Sequence, residues 1–154
     1  MAKEVQIVRF QVGRESFGLP IGRVHEIVRP PAITPVPQSP NYVEGVINLR
    51  GRIVPVIDLR KRFGQPASDD RRRNRVLIVS NEGKPVGLMV DSASEVLKVP
   101  ETEIEDAPKV FDGDESNYVS GVAKHQGRLI ILVDLEKILR PGESRRLQHT
   151  EAPA

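Results

Sequence analysis

The chain has 154 residues, 38 % hydrophobic and 29 % charged, and no apolar run approaches the roughly 20 residues that a membrane-spanning helix needs. It contains no cysteine, which excludes disulfides, thiol nucleophiles and thiolate metal sites and makes cytoplasmic residence the expectation. The net charge is only +2, but residues 1–75 carry 14 Lys/Arg against 7 Asp/Glu while residues 76–154 carry 9 against 14, a polarity that favours oriented association with charged partners.

The first residues lack the long apolar stretch of a signal peptide and run directly into Val5–Val12 (VQIVRFQV), an imperfectly alternating strand pattern. A turn at Gly13-Arg14-Glu15 leads into a second strand over Phe17–Ile21, and Val24–Val28 reads as a third. Pro30, Pro31, Pro35, Pro37 and Pro40 then force an extended connection that can be neither helix nor central strand. Val43–Asn48 and Ile53–Ile57 form two strands around a turn at Arg50-Gly51, each half of the pattern short and β-branched. Val76–Val79 and Val86–Val90 read as a hairpin around Asn81-Glu82-Gly83. Glu101–Asp106 is an acidic stretch that reads as surface loop, and residues 146–154 as a flexible tail. Many short strands at this spacing point to small barrels or a sandwich, a mainly β fold.

The most informative feature is an internal repeat. Residues 41–63 (NYVEGVINLRGRIVPVIDLRKRF) and 117–139 (NYVSGVAKHQGRLIILVDLEKIL) align without a gap at an offset of 76, with ten of 23 positions identical. A weaker echo pairs Phe17-Gly18-Leu19 with Val86-Gly87-Leu88 at an offset of 69. The chain therefore reads as two copies of one β unit, near residues 1–65 and 70–140 of a single domain over 1–145. A unit of roughly 65 residues is marginal for an independent core, so the copies should pack together and share strands. The repeat assigns structural duties to its invariant members. Gly51 and Gly127 suit tight hairpin turns that need positive φ. Asp58 and Asp134 each follow an apolar strand and precede a short helical pattern, Leu59–Phe63 or Leu135–Leu139, where a carboxylate caps the first turn for roughly 1 kcal/mol. Gly64 and Pro141-Gly142 then stop the helices.

Enzymatic chemistry finds little support. His25, His125 and His149 are scattered without metal-ligand spacing, and no nucleophile elbow, phosphate loop or dinucleotide turn is present. No catalytic residue, metal site or cofactor is assigned. Val56-Ile57-Asp58-Leu59 has the look of a phosphoacceptor strand end, yet the first strand ends in Gln11-Val12-Gly13 without the acidic pair that would hold magnesium. The cap reading of Asp58 is preferred. The basic run Arg71-Arg72-Arg73-Asn74-Arg75 contains no aromatic for base stacking and sits where a polar linker between the repeats is expected. A small-barrel nucleic-acid binder is thus the weaker alternative, and an enzyme with an unrecognised site weaker still.

The segment Gly45-Val-Ile-Asn48-Leu-Arg50-Gly51 followed by Val54-Pro55-Val56-Ile57-Asp58-Leu59, with the upstream Phe17–Ile21 and Val24–Ile27, resembles the signature of CheW-like domains, over roughly residues 4–140. The resemblance implies two SH3-like five-stranded barrels packed on a shared core with short helices. It also implies a non-enzymatic adaptor that couples methyl-accepting chemoreceptors to the regulatory domain of a CheA-type histidine kinase. With no kinase or phosphotransfer segment evident, the chain is similar to the stand-alone coupling proteins, cytoplasmic and recruited to membrane-associated receptor arrays. An array with a non-chemotactic output, such as twitching or surface behaviour, is the alternative. By position, the receptor-facing surface would comprise Val24, Glu26, Ile27, Val28, Gly45 and Arg50, and the kinase contacts would lie at Val36, Pro108, Val110 and Phe111. Val24 and Ile27 could equally be core, and Gly45 is partly a backbone requirement because Gly121 repeats it. Arg50 differs: its repeat partner is Gln126, so the shared hairpin does not demand arginine, and a planar guanidinium is well suited to a partner.

Overall fold

The computed structural model describes residues 3–66, 71–106 and 118–139. The chain begins with a hairpin of β1 (Glu4–Val12) and β2 (Glu15–Pro20), then runs through β3 (Val24–Val28), β4 (Val43–Leu49), β5 (Arg52–Asp58) and the one-turn helix α1 (Leu59–Arg62). It continues through β6 (Arg75–Asn81), β7 (Lys84–Val90), β8 (Ser92–Pro100), β9 (Ile104–Asp106), β10 (Val119–His125), β11 (Arg128–Val133) and the helix α2 (Leu135–Leu139). The strands form two sheets, in the orders β3-β6-β7-β5-β4 and β8-β1-β2-β11-β10-β9. These fit two SH3-like subdomains, called here barrel B and barrel A respectively.

The barrels and the sequence repeats are out of phase. Barrel B is the continuous run β3–β7, inserted between β2 and β8 of barrel A. Each repeat therefore gives its first hairpin to one barrel and its second to the other. The exchange is made by two parallel pairings in the same register, Val56 with Gly87 in barrel B and Leu132 with Gly18 in barrel A. This accounts for the fainter echo at residues 17–19 and 86–88. A Cβ on Gly18 would lie 2.4 Å from an Ile7 methyl, and one on Gly87 would lie 2.7 Å from the matching Val76 methyl.

Burial follows the same plan. One apolar cluster fills barrel B (Ile47, Val54, Val56, Val76, Ile78, Met89) and one fills barrel A (Ile7, Leu97, Val99, Ala123, Ile130). The largest lies between the sheets, with Phe10, Phe17 and Leu19 meeting Leu77, Val79, Leu88 and both helices. Neither barrel is large enough to be stable on its own small interior, and the shared centre removes the outer faces of both from water.

Asp58 caps α1, its Oδ1 accepting the Arg60 amide at 2.9 Å, and Asp134 caps α2 by accepting from the amides of Glu136 and Lys137. Gly64 (φ 72) ends α1; the other helix stop, Pro141-Gly142, lies outside the described residues, as does the tail 146–154. The acidic stretch Glu101–Asp106 is not a loop: Glu101–Glu103 forms a 3-10 turn and Ile104–Asp106 forms β9, pairing with Gly121–Ala123. Ile104 packs against the interior of barrel A, and covering the outer edge of β10 satisfies its backbone groups. Barrel B reaches the same solution with one bridge, Thr34 to Val46, because the flanking prolines cannot donate to a longer ladder. Barrel A thus has six strands where five are expected, the sixth being this three-residue cover.

Candidate functional site

The hairpins β4–β5, β6–β7 and β10–β11 turn through two residues, both with positive φ: Arg50-Gly51 (51° and 86°), Glu82-Gly83 (53° and 81°) and Gln126-Gly127 (51° and 77°). Such turns match the natural twist of a two-stranded ribbon. The Asn48 side chain braces the first of them, accepting the Gly51 amide at 2.8 Å. The Arg50 side chain is 69 % exposed and meets Glu26 as a two-pronged fork, Nη1 to Oε1 at 2.9 Å and Nη2 to Oε2 at 2.6 Å. Glu26 belongs to β3, one end of the sheet, and the Arg50 turn joins β4 and β5 at the other end. The ion pair thereby closes the mouth of barrel B. The hydrogen bond from Arg50 holds the Glu26 carboxyl below the ordinary carboxylate value, and the same bond raises the guanidinium further. Because water reaches both groups, the pair serves geometry more than stability.

The two residues line a cleft of about 490 Å³ with His25, Arg52, Ile78 and Ser80. Ile27, the next residue of β3, is 38 % exposed, whereas Val24 and Val28 are half-buried, Val24 against the shared core and Val28 against the barrel B interior. Gly45 is buried at a bulge of β4 with φ 149°. A Cβ there would lie 2.2 Å from the Thr34 carbonyl oxygen, so the bridge at Thr34 is sufficient reason for glycine. The structure thus brings Glu26 and Arg50 into contact, whereas Ile27, opposite Leu77, stands on the other face of β3. Val36 stands elsewhere, 41 % exposed on the proline-rich connection, where its carbonyl accepts the Ser39 hydroxyl at 2.7 Å. Pro108, Val110 and Phe111 lie outside the described residues.

Four exposed apolar side chains escaped the sequence reading: Ile21 (39 %), Ile53 (67 %), Val96 (53 %) and Leu129 (62 %). Ile53 and Leu129 occupy one repeat position, and Val96 occupies that of Ile27 at the offset of 69. Alternation was the available signal, since inward Val54 and Val56 force Ile53 outward. Among the described residues no cluster of His, Asp or Glu could hold a metal ion, and no helix is long and apolar enough to cross a membrane.

The CheW-like domain profile matches residues 6–143. The chain is 35 % identical to the chemotaxis protein CheW of Helicobacter pylori over 136 residues, covering 88 % of this chain and 82 % of that protein. Against the chemotaxis protein CheW of Klebsiella aerogenes it is 40 % identical, with 87 % and 81 % covered. A shorter match, 37 % over 84 residues, links it to Protein PilI of Pseudomonas aeruginosa, covering 54 % of this chain and 47 % of that one. The crystal structure of the scaffolding protein TtCheW from Thermoanaerobacter tengcongensis superposes with a TM-score of 0.82 at 39 % identity, over 92 % of this chain and 95 % of that one. Fold, length and sequence agree: the chain belongs to the CheW-like family.

Proposed function

We propose that the protein is a non-enzymatic adaptor coupling methyl-accepting chemoreceptors to a CheA-type histidine kinase in the cytoplasm, at membrane-associated signalling arrays. The receptor-facing surface is assigned to barrel B, with Arg50 and Glu26 as its polar anchor and Val24, Ile27 and Val28 as its apolar flank. Gly45 contributes by allowing the Thr34 bridge that shapes this end of the barrel. Val36 is assigned to one kinase contact, and Pro108, Val110 and Phe111 to a second. The observation that carries the reading is the Glu26–Arg50 fork at the mouth of barrel B, with the Arg50 side chain 69 % exposed. It is a preorganised planar donor set, and the fold itself does not need it, since Gln126 makes the equivalent turn.

A pull-down with receptor signalling tips and kinase tests the assignment. Arg50→Gln should lose receptor while retaining kinase, and a charge at Val36 should do the reverse. Retention of receptor by the Arg50 variant would remove this face from the proposal. A gel shift at physiological salt should show no nucleic-acid binding. The partial match to Protein PilI favours a second reading, an array with a different output, which the same pull-down with receptors of each type separates.

A further inference from the structure

The chain passes between the barrels only twice among its described elements, at Ile21–Arg23 and at Asp91. The second passage is built around buried charge. Arg60 of α1 is 6 % exposed, Asp58 2 % and Asp91 6 %. The Arg60 guanidinium donates to both Asp58 oxygens, at 3.0 and 3.1 Å, and to Asp91 Oδ1 at 3.2 Å. The other oxygen of Asp91 accepts the Gly13 amide at 2.6 Å, in the β1–β2 turn of barrel A, and the Asp91 amide donates to the Gln11 carbonyl at 2.9 Å. One guanidinium therefore joins the end of a barrel B strand, the crossover and, through Asp91, a barrel A turn. The corresponding place at the first passage is different in kind. Glu136 occupies the repeat position of Arg60 and reaches Arg23 at 3.7 Å, with the Arg23 side chain 42 % and the Glu136 side chain 65 % exposed.

We propose that Arg60 is a positioning residue that pins the angle between the two barrels, while the Arg23–Glu136 side is a loose tether that does not set it. A buried guanidinium bonded to two carboxylates fixes both distance and direction, because leaving either carboxylate without a partner is strongly unfavourable. An exposed pair at 3.7 Å does neither. The pin acts on the fold alone. Its bearing on signalling rests on the adaptor reading, in which one chain must hold receptor and kinase in a fixed relative orientation.

The absence of cysteine makes the test direct. Ile53→Cys and Leu129→Cys place one spin label on each barrel at exposed sites, and pulsed dipolar spectroscopy reads the distance distribution between them. The parent should give one narrow distribution. Arg60→Met and the milder Asp91→Asn should broaden or shift it while circular dichroism retains the β signal, and Arg23→Ala should leave it unchanged. A distribution as narrow as the parent's in both pin variants overturns the proposal, as does equal broadening by Arg23→Ala. Loss of the β signal in both pin variants overturns it too, since the triad would then be a requirement for the barrels rather than for their angle. The distance measurement contains no partner, so it stands or falls apart from the receptor and kinase assignments.

Discussion

The mouths of the two barrels share a backbone and differ in how they neutralise one carboxylate. Glu26 and Glu95 occupy equivalent positions on β3 and β8. In barrel A the residue across from Glu95 on the neighbouring strand is Arg9, whose guanidinium lies 3.6 Å from it and also donates to Ser16. In barrel B the residue across from Glu26 is Ile78, which is buried, and the cation comes from the turn instead. Arg50 and Gln126 adopt the same φ of 51°, so the turn accepts either side chain. The difference moves a guanidinium from within a sheet, 17 % exposed, to a rim, 69 % exposed. A rim cation held in place by a single carboxylate can exchange its partner for one on another molecule, whereas Arg9 is committed to its own sheet. The two frames differ at two positions, Arg9 against Ile78 and Gln126 against Arg50, and in barrel B the cation stands on the rim.

The largest expected contrast between the copies is at the helix starts. Asp58→Ala removes a cap and leaves Arg60 buried without its bidentate partner, and should cost about 3–5 kcal/mol in urea unfolding. Asp134→Ala removes a cap whose neighbours reach water and should cost about 1 kcal/mol. Equal losses would show that the Arg60 triad adds nothing beyond capping. Next come the bulge glycines. Gly45→Ala places a methyl against the Thr34 carbonyl in a backbone region that alanine avoids, and should cost about 3 kcal/mol. Gly121→Ala meets the Glu105 carbonyl at 2.7 Å without needing left-handed backbone, and β9 is short enough to yield. Its midpoint should fall less, and a larger fall than at Gly45 would reverse the ranking of the two covers.

These sites also mark what the sequence could reveal. Local rules exposed the hairpins, the Asp58 and Asp134 caps and the proline-rich gap, because each depends on residues a few positions apart. The repeat exposed the duplication, and the contrast of Arg50 with Gln126 singled out one functional candidate. The exchange of hairpins between barrels was hidden, since a repeat shows similarity and is silent on which copy each strand pairs with. The Arg60–Asp91 contact was hidden for a related reason. Its partners lie 31 positions apart, and the repeat places Glu136 where Arg60 stands, so comparison of the copies argues against any shared role. β9 was missed because acidic residues are poor strand formers; only the edge it covers explains it.

A smaller effect on stability, though a clear one on binding, is expected at the mouth itself. Arg50→Gln copies the barrel A turn into barrel B and should melt like the parent while binding receptor tips at least about tenfold more weakly. Gln126→Arg copies the change in the other direction. Glu95 already faces Arg9, and the new guanidinium would share a cleft with Glu103, His125 and Arg128 instead of forming the Glu26 fork, so this variant should neither restore receptor binding to the Arg50 variant nor alter the parent. Restoration would show that any rim arginine suffices and that the apolar flank of Ile27 is irrelevant.

The subtlest difference concerns acid. Arg50 lowers the Glu26 titration chiefly by hydrogen bonding; desolvation opposes it, and the charges of Arg50 and His25 add lesser effects in the lowering direction. A carboxyl whose folded value lies below its unfolded one binds its proton more weakly when folded. The contribution of the pair is therefore complete above the ordinary carboxylate value of 4.5 and disappears as the pH falls through the depressed one. Carbon-detected NMR of the Glu26 carboxyl should show its midpoint below 4.5 in the parent and displaced upward in Arg50→Gln. Salt should narrow the gap between the two Glu26 midpoints, as expected for a pair that water reaches. A Glu26 midpoint unmoved by Arg50→Gln would mean that the fork is not held in solution, and the rim guanidinium would then be a mobile charge rather than an aimed one.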